Sequence, residues 1–501
     1  MGETNHEAGI SNRGCAGILE IEIGSPFRNS AWRLRLSTPH VKAWFILAAF
    51  LGFAAGCTEN PGNSEIEGPD SDALAIQKLN DFVASQFQAN EPGGVVLVAA
   101  GDTIMLRAAF GLSNAANGSG LTVDQPLPIG SLTKSFTAAA VLRLAQAGRL
   151  SLDDDVRRYV SDAPVDGRVV TIEHLLTHTS GMPNLVENPG FFAWAQQPQN
   201  TAELLAQTED IPFLFEPGTG FSYSDSGYIL LGAVLESIGS GRWPEVVHDL
   251  VSQPLGLTSV RAADEWGEHA VIGYQYDAGM FKAAETIDWS VPHASGALVS
   301  NVDDLLTWIQ TWANGKFLSK QLRDRAWSGR TLPDGTVSGY GFGWKRCEFE
   351  GHPAIQHGGY VPGFTASLLH LPEDNLTAIA LLNSEGKIEA SYLTRQALRL
   401  LLTGNPKITP QELTSARREQ LAGKYRTAEG SIWTMAPGET PLAIALGQNR
   451  IDLEAVSSTK LCAAESDGTW CFTFKPDGES LAESVAMSLT CEPQGMADRV
   501  E

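Results

Sequence analysis

The sequence predicts an α+β protein: an antiparallel sheet flanked by helices, a helical subdomain inserted between its strands, and a small β-rich C-terminal domain. Three observations predict it. Two strand-like runs sit at Gly93–Gly111, "GGVVLVAAGDTIMLRAAFG", and further strands return only at Pro353–Asn383, "PAIQHGGYVPGFTASLLHLPEDNLTAIALLN". A long middle rich in helices and loops separates the two sets, the pattern of an insert between strands of one sheet. Beyond Thr403 the chain becomes short apolar runs punctuated by Gly, Pro, Asp and Ser, as in "LAGKYRTAEGSIWTMAPGETPLAIAL".

Taken in chain order, residues 1–57 form an N-terminal extension and signal. From Ile23 to Thr58 there is no acidic residue, and Arg33, Arg35 and Lys42 precede the apolar run "AWFILAAFLGFAA", Ala43–Ala55. At 13 residues that run falls short of the roughly 20 a membrane-spanning helix needs. A basic flank, a short apolar core and small residues make an export signal. Val41 would serve as a compact start for it. Residues 58–74 begin with "TENPGNSEIEGPDSD" and read as a flexible tether. The main domain runs from 75 to 402, opening on the helical spacing of "ALAIQKLNDFVASQF". Gly101-Asp102 marks a hairpin, and "PEDN", Pro372–Asn375, a second turn. Residues 403–413, with two prolines, are a linker, and 414–501 are the β-rich domain.

The net charge of −23 excludes nucleic acid as a partner, since phosphate binding needs basic patches. There is no CxxC or other metal-type spacing, so neither metal nor cofactor is expected. With Cys15 and Cys57 set aside, Cys347, Cys462, Cys471 and Cys491 allow three pairings. Cys462 and Cys471 are close enough to close a small loop, with free buried thiols equally compatible.

Three short motifs carry the chemistry. Ser131-Leu132-Thr133-Lys134 is an S-x-x-K, a pattern that also occurs at Ser384–Lys387 and Ser457–Lys460. The first is set apart by context: Leu132, Phe136, Ala139, Ala140 and Leu144 repeat at helical spacing. A serine at that helix N-terminus has its own amide as an oxyanion donor, and a lysine one turn on shares its face. A desolvated lysine loses pKa and can take the serine proton, where a surface pair would be only an N-cap and a snorkelling side chain. Tyr223-Ser224-Asp225 sits in a turn before the helical run Tyr228–Ile238. A phenol beside a cationic lysine is expected to have a lowered pKa and to act as base. His357 lies on a strand before Gly358 and Gly359, which allow close approach of a ligand, and the Tyr360 N–H is a second candidate oxyanion donor.

Together the three motifs resemble, in order and spacing, the serine β-lactamases and penicillin-binding proteins. The nearest likeness is the branch of class C β-lactamases, D-alanyl-D-alanine carboxypeptidases and related esterases. The stretches Thr171–Pro183, Pro254–Val260, Ala294–Trp308 and Gly339–Trp344 resemble that group as well, over about residues 75–400. The resemblance implies the β-lactamase/transpeptidase-like fold, attack by Ser131 to give an acyl-enzyme, and proton transfer by Lys134 and Tyr223. It implies substrate binding by Asp225, His357 and Gly359, and an oxyanion hole made of the Ser131 and Tyr360 N–H groups. "AAGC" similarly resembles a bacterial lipobox, implying lipidation of Cys57 and a membrane-anchored protein facing the periplasm or cell exterior. Two departures stand out. Asp225 replaces the usual asparagine, so an NH2 donor becomes a pure acceptor that favours charge on Lys134. Gly358 replaces the common threonine.

The expected function is therefore an exported serine hydrolase acting through an acyl-enzyme on an amide or ester: a D-amino-acid peptide of peptidoglycan type, an ester or a β-lactam. The alternative is a catalytically silent envelope binding or sensor protein of the same fold, which the retention of Ser131, Lys134 and Tyr223 disfavours. There is no G-x-S-x-G elbow, and His174 and His178 lack the glutamate of a zincin helix. The sequence leaves the acyl donor and the oligomeric state open.

Overall fold

The computed structural model describes residues 69–499, apart from 189, 240, 268–270, 316, 407–411 and the stretches 428–431, 436–441, 447–448, 456–459, 464–469, 476–483 and 490–491. Cys57, the apolar run before it and the first part of the expected tether lie outside the described residues. The last part of that tether is helical instead: α1 spans Pro69–Ser85.

The hairpin β1 (Gly94–Ala100) and β2 (Thr103–Phe110) follows. The insert contributes α2 (Thr133–Gln146), α3 (Asp225–Ile238) and α4 (Val302–Asn314). Then come β3 (Lys345–Phe349), β4 (His352–Val361), β5 (Phe364–Leu371), β6 (Leu376–Leu382) and α5 (Ala390–Thr403). The sheet is antiparallel in the order β3-β4-β5-β6-β1-β2. The first hairpin thus closes onto the last strand, pairing Gly94 with Leu382 across the inserted middle. Both turns take the shape their residues favour. Gly101 has φ +57°, Asn375 has φ +53°, and the Gly101 amide donates to the Asn375 carbonyl at 2.7 Å.

The strands read as continuous apolar runs because both faces of the sheet are covered. Val96 and Val98 face one way, with Leu369, Leu371, Ala378 and Ala380, and meet Leu79 and Val83 of α1 and Leu393, Ala397 and Leu398 of α5. Val95, Leu97 and Ala99 face the other way, with Leu368, Ile379 and Leu381, and join the larger core under α2, α3 and α4. Burying one such Val or Leu contributes about 1.5–3 kcal/mol.

The C-terminal region is a closed barrel of eight antiparallel strands between Gly423 and Arg499. Tyr425, Trp433, Ile444, Leu461, Phe472 and Phe474 fill it. Cys462 and Cys471, cross-strand partners, form a disulfide, which decides between the two states left open by the sequence; Cys347 is disulfide-bonded too.

His370 on β5 is buried, its Nδ1 bonded to Thr377 Oγ1 at 2.9 Å, and burial pushes its pKa down to about 4. The unfolded chain binds this proton near pH 6.5 and the folded chain resists it to about 4. The group's contribution is therefore intact above pH 6.5 and falls away with acidification through that window, at about 1.4 kcal/mol per pH unit. His370→Gln is expected to flatten the urea-midpoint profile between pH 6.5 and 4 by that slope; an unchanged profile refutes the assignment.

Candidate active site

Ser131 sits in a 3-10 turn, Gly130–Leu132, that leads directly into α2. The turn depends on Gly130, whose φ is +50°. The helix behind it is locked in the core. Phe136 stacks on Trp308 with ring centres 4.4 Å apart, and Trp308 Nε1 donates to Ser135 Oγ at 2.9 Å. Two threonine hydroxyls of α2 reach the segment that carries Ser295: Thr137 Oγ1 donates to the Ala294 carbonyl at 2.7 Å, and Thr133 Oγ1 accepts from the Leu298 amide at 3.1 Å.

Lys134 is fully buried, and its amine meets three oxygens: Asp225 Oδ1 at 2.6 Å, the Ser295 carbonyl at 3.0 Å and Ser131 Oγ at 3.1 Å. A carbonyl and an ionised carboxylate can only accept, so two N–H bonds are committed to them. The third tetrahedral position points at Ser131 and holds either a proton or a lone pair. The amine can therefore gain or lose a proton without moving. Burial lowers its pKa, and the Asp225 charge opposes that. The ion pair expected from the aspartate substitution is thus present. Asp225→Asn removes the group that holds the proton on Lys134, so the acidic limb of the kcat/KM profile is expected to move to lower pH. A limb that stays put or rises refutes the coupling.

Tyr223 comes to the same point. Lys134 Nζ lies 4.8 Å from its ring centre, and Ser131 is its hydrogen-bonding partner. Its phenol pKa, however, is raised well above the usual value by burial and the Asp225 charge, the Ser131 contact pulling the other way. The expectation of a lowered phenol pKa is corrected: burial disfavours the phenolate and the Asp225 charge adds to it, so Tyr223 rests as a neutral phenol.

Behind it stands a cage of aromatic and imidazole rings. His178, with φ +57°, accepts the Ser224 amide on Nδ1 at 3.1 Å and packs 4.3 Å from the Tyr223 ring. Tyr340 and His357 Nε2 are 2.9 Å apart, and His357 Nδ1 lies 2.6 Å from the Gly358 carbonyl. That carbonyl only accepts, so Nδ1 carries the hydrogen and Nε2 accepts from the tyrosine. Burial, with the nearby lysine charges, holds both histidines well below their usual pKa and hence neutral. His357 is only 1% exposed and faces Tyr340, not the cleft. In this structure it supports the rings behind Tyr223.

Gly359 likewise makes room for protein backbone. A methyl group there would lie 1.9 Å from the Ile129 carbonyl and 3.2 Å from the Ser131 nitrogen, and one on Gly130 would lie 2.5 Å from the Tyr360 nitrogen. The two candidate oxyanion donors, Ser131 N–H and Tyr360 N–H, are thus held at one seam between the nucleophile turn and β4. That seam opens into a cavity of about 280 Å³ to which Ser131, Asp225 and Tyr360 contribute.

Sequence reasoning missed several residues of this site. Ser295 supplies a carbonyl, which no side-chain motif signals. Asn184 Oδ1 accepts the Asp225 amide at 3.1 Å. Lys345 Nζ lies 5.5 Å from the Tyr223 ring centre, its pKa lowered to about 8 by burial and the Lys134 charge. For His178 the available signal was its place in "LLTHTSGMP", within one of the stretches that resemble the family.

The beta-lactamase family profile matches residues 75–403. Penicillin-binding protein 4* of Bacillus subtilis (strain 168) is 27% identical over 414 residues, 77% of this chain and 90% of that protein. The octameric penicillin-binding protein homologue from Pyrococcus abyssi superposes with a TM-score of 0.59 at 25% identity, covering 84% of this chain and 99% of that one. A D-stereospecific amidohydrolase from Streptomyces sp. shares the fold, with a TM-score of 0.55 at 21% identity, covering 66% of this chain and 99% of that one. With the motifs in contact and the profile covering the whole domain that bears them, the chain belongs to the beta-lactamase family of serine hydrolases.

Proposed function

We propose that this chain hydrolyses an amide or ester through an acyl-enzyme on Ser131. The observation that carries this reading is the Lys134 amine, with two N–H bonds fixed on Asp225 and Ser295 and its third position turned to Ser131 Oγ. As the neutral amine it takes the Ser131 proton while Oγ attacks the carbonyl carbon. The Ser131 and Tyr360 N–H groups receive the oxyanion. The neutral Tyr223 phenol gives its proton to the leaving nitrogen or oxygen, and the Lys134 ammonium restores it. Water then attacks the acyl carbon, its proton passing to Tyr223 and on to Lys134, and Ser131 leaves with a proton. Penicillin-binding and amidohydrolase relatives support an amide or ester as the acyl donor. The wild-type chain is expected to take up a fluorophosphonate on Ser131 and Ser131→Ala to take up none. Equal labelling of the two, or no labelling of the wild type, overturns the reading and favours a silent binding protein.

Export with lipidation at Cys57 belongs to the same proposal. The basic flank, apolar run and "AAGC" support it, and the Cys462–Cys471 bridge suits an oxidising compartment. Cys57→Ser is expected to shift the protein from the detergent to the aqueous phase on Triton X-114 partition; identical partition of both refutes the anchor.

A further inference from the structure

The cavity beside Ser131 has an unusual chemical balance. Leu185, Phe191, Phe192, Ile229 and Val291 line it, and Asp225 is the one charged residue among its described lining residues. Phe192 is 68% exposed, an aromatic ring held at the mouth with little of its surface buried. Asp225 uses Oδ1 for Lys134, and among the described residues Oδ2 has no hydrogen-bond partner. Asp225 keeps 19% of its side-chain surface exposed and lines the cavity, so the carboxylate has capacity left for a donor group bound there. The rim adds more negative charge: the Tyr360 phenol at the cavity wall hydrogen-bonds Glu385. The nearest cations are committed elsewhere, Lys134 to its three oxygens and Lys345 behind the Tyr223 ring, outside the lining.

We infer that the cavity selects an acyl donor with an apolar or aromatic side chain and a free ammonium group next to the scissile carbonyl, that is, a hydrophobic amino-acid amide or ester, and that it disfavours donors carrying a carboxylate there. The inference rests on the acyl-enzyme reading above and adds the substrate class. The side chain fills the apolar cavity, and the ammonium pairs with the unused Asp225 oxygen. The carbonyl carbon then lies over Ser131, since Asp225 and Ser131 are bridged by one amine and so lie within about two hydrogen-bond lengths of each other. A carboxylate in the same place meets Asp225 and finds no cation among the described lining residues. The asparagine usual at this position would accept a neutral acylamino donor as readily, so the preference is a property of the aspartate.

The test compares both enantiomers of phenylalanine p-nitroanilide with the N-acetyl and N-succinyl derivatives, in wild type and in Asp225→Asn, with fluorophosphonate labelling run in parallel. In the wild type, kcat/KM for one free-amine enantiomer is expected to exceed that of its N-acetyl form at least tenfold and that of its N-succinyl form further. In Asp225→Asn the ratio of free-amine to N-acetyl rates is expected to fall to within about threefold of unity, whatever the absolute rate, as loss of one charge-assisted contact implies. An N-acetyl or N-succinyl substrate that matches the free amine in the wild type overturns the inference, as does a preference unchanged in the variant. Labelling at Ser131 with no turnover of any of these substrates overturns the substrate class alone. Absence of labelling overturns the acyl-enzyme reading and the substrate class with it.

Discussion

Lys134→Arg is expected to reduce kcat/KM by about 10²–10⁴-fold, the usual contribution of a positioned general base, although it keeps a positive charge beside Asp225. Guanidinium does not give up its proton at working pH, so it can pair with the carboxylate but has no lone pair for Ser131. Lys134→Met is expected to lose as much activity while folding normally. It removes one partner of the Lys134–Asp225 pair, a loss that costs about 3–5 kcal/mol where the charge left behind is itself buried. Asp225 retains 19% of its side-chain surface exposed, so water can reach the carboxylate left behind. The pair of variants separates two roles for the lysine. If its charge alone mattered, Arg would rescue and Met would not. If proton transfer matters, both fail alike, in single-turnover acylation and in steady state, with thermal unfolding midpoints near that of the wild type. An Arg variant within a few-fold of wild type refutes the base.

What the sequence revealed and what it hid follow from the range of the forces involved. Ser131 and Lys134 are one helical turn apart, so their meeting is set by local geometry and could be read directly. The hairpin at Gly101-Asp102 and the turn at Pro372–Asn375 are local too, and both sit where their residues placed them. The join of β1 to β6 across the insert was legible as a pattern, because the two strand sets bracket a helical middle. Tyr223 and Asp225 are legible through family likeness, and the structure brings them to Lys134. The electrostatic sign at Tyr223 was not legible. It depends first on the burial of the phenol and then on the Asp225 charge beside it, and spacing expresses neither. The burial of His357 was hidden for a related reason: a histidine followed by two glycines looks open, yet its partner Tyr340 comes from the loop before β3 and covers it. The contribution of Ser295 is a backbone carbonyl, and every residue has one.

The seam between the Ser131 turn and β4 makes a sharper demand on sequence than any side chain in the cleft. Gly358 and Gly359 are neighbours on the same strand, and their opposite faces give opposite expectations. A methyl group on Gly359 meets the Ile129 carbonyl at 1.9 Å and its carbon at 2.8 Å, backbone atoms that cannot swing away. A methyl on Gly358 meets only the Ala366 carbonyl, at 3.6 Å, an ordinary contact. Gly359→Ala must therefore push β4 off the nucleophile turn by about 1 Å or more to restore van der Waals separation. The Tyr360 N–H moves with the strand, and the two oxyanion donors no longer converge. Loss of one such donor costs about 10²–10³ in kcat, and a shift of 1 Å in a reacting group is enough for about 10². Gly359→Ala is thus expected to lose about 10²–10³ in kcat and in fluorophosphonate labelling alike, since the phosphonyl oxygen needs the same two donors, and to melt at a lower temperature. Gly358→Ala is expected to stay within a few-fold of wild type. Assays run well below both melting points decide the matter: full activity in Gly359→Ala, or equal damage in Gly358→Ala, means that the oxyanion is held somewhere other than this seam.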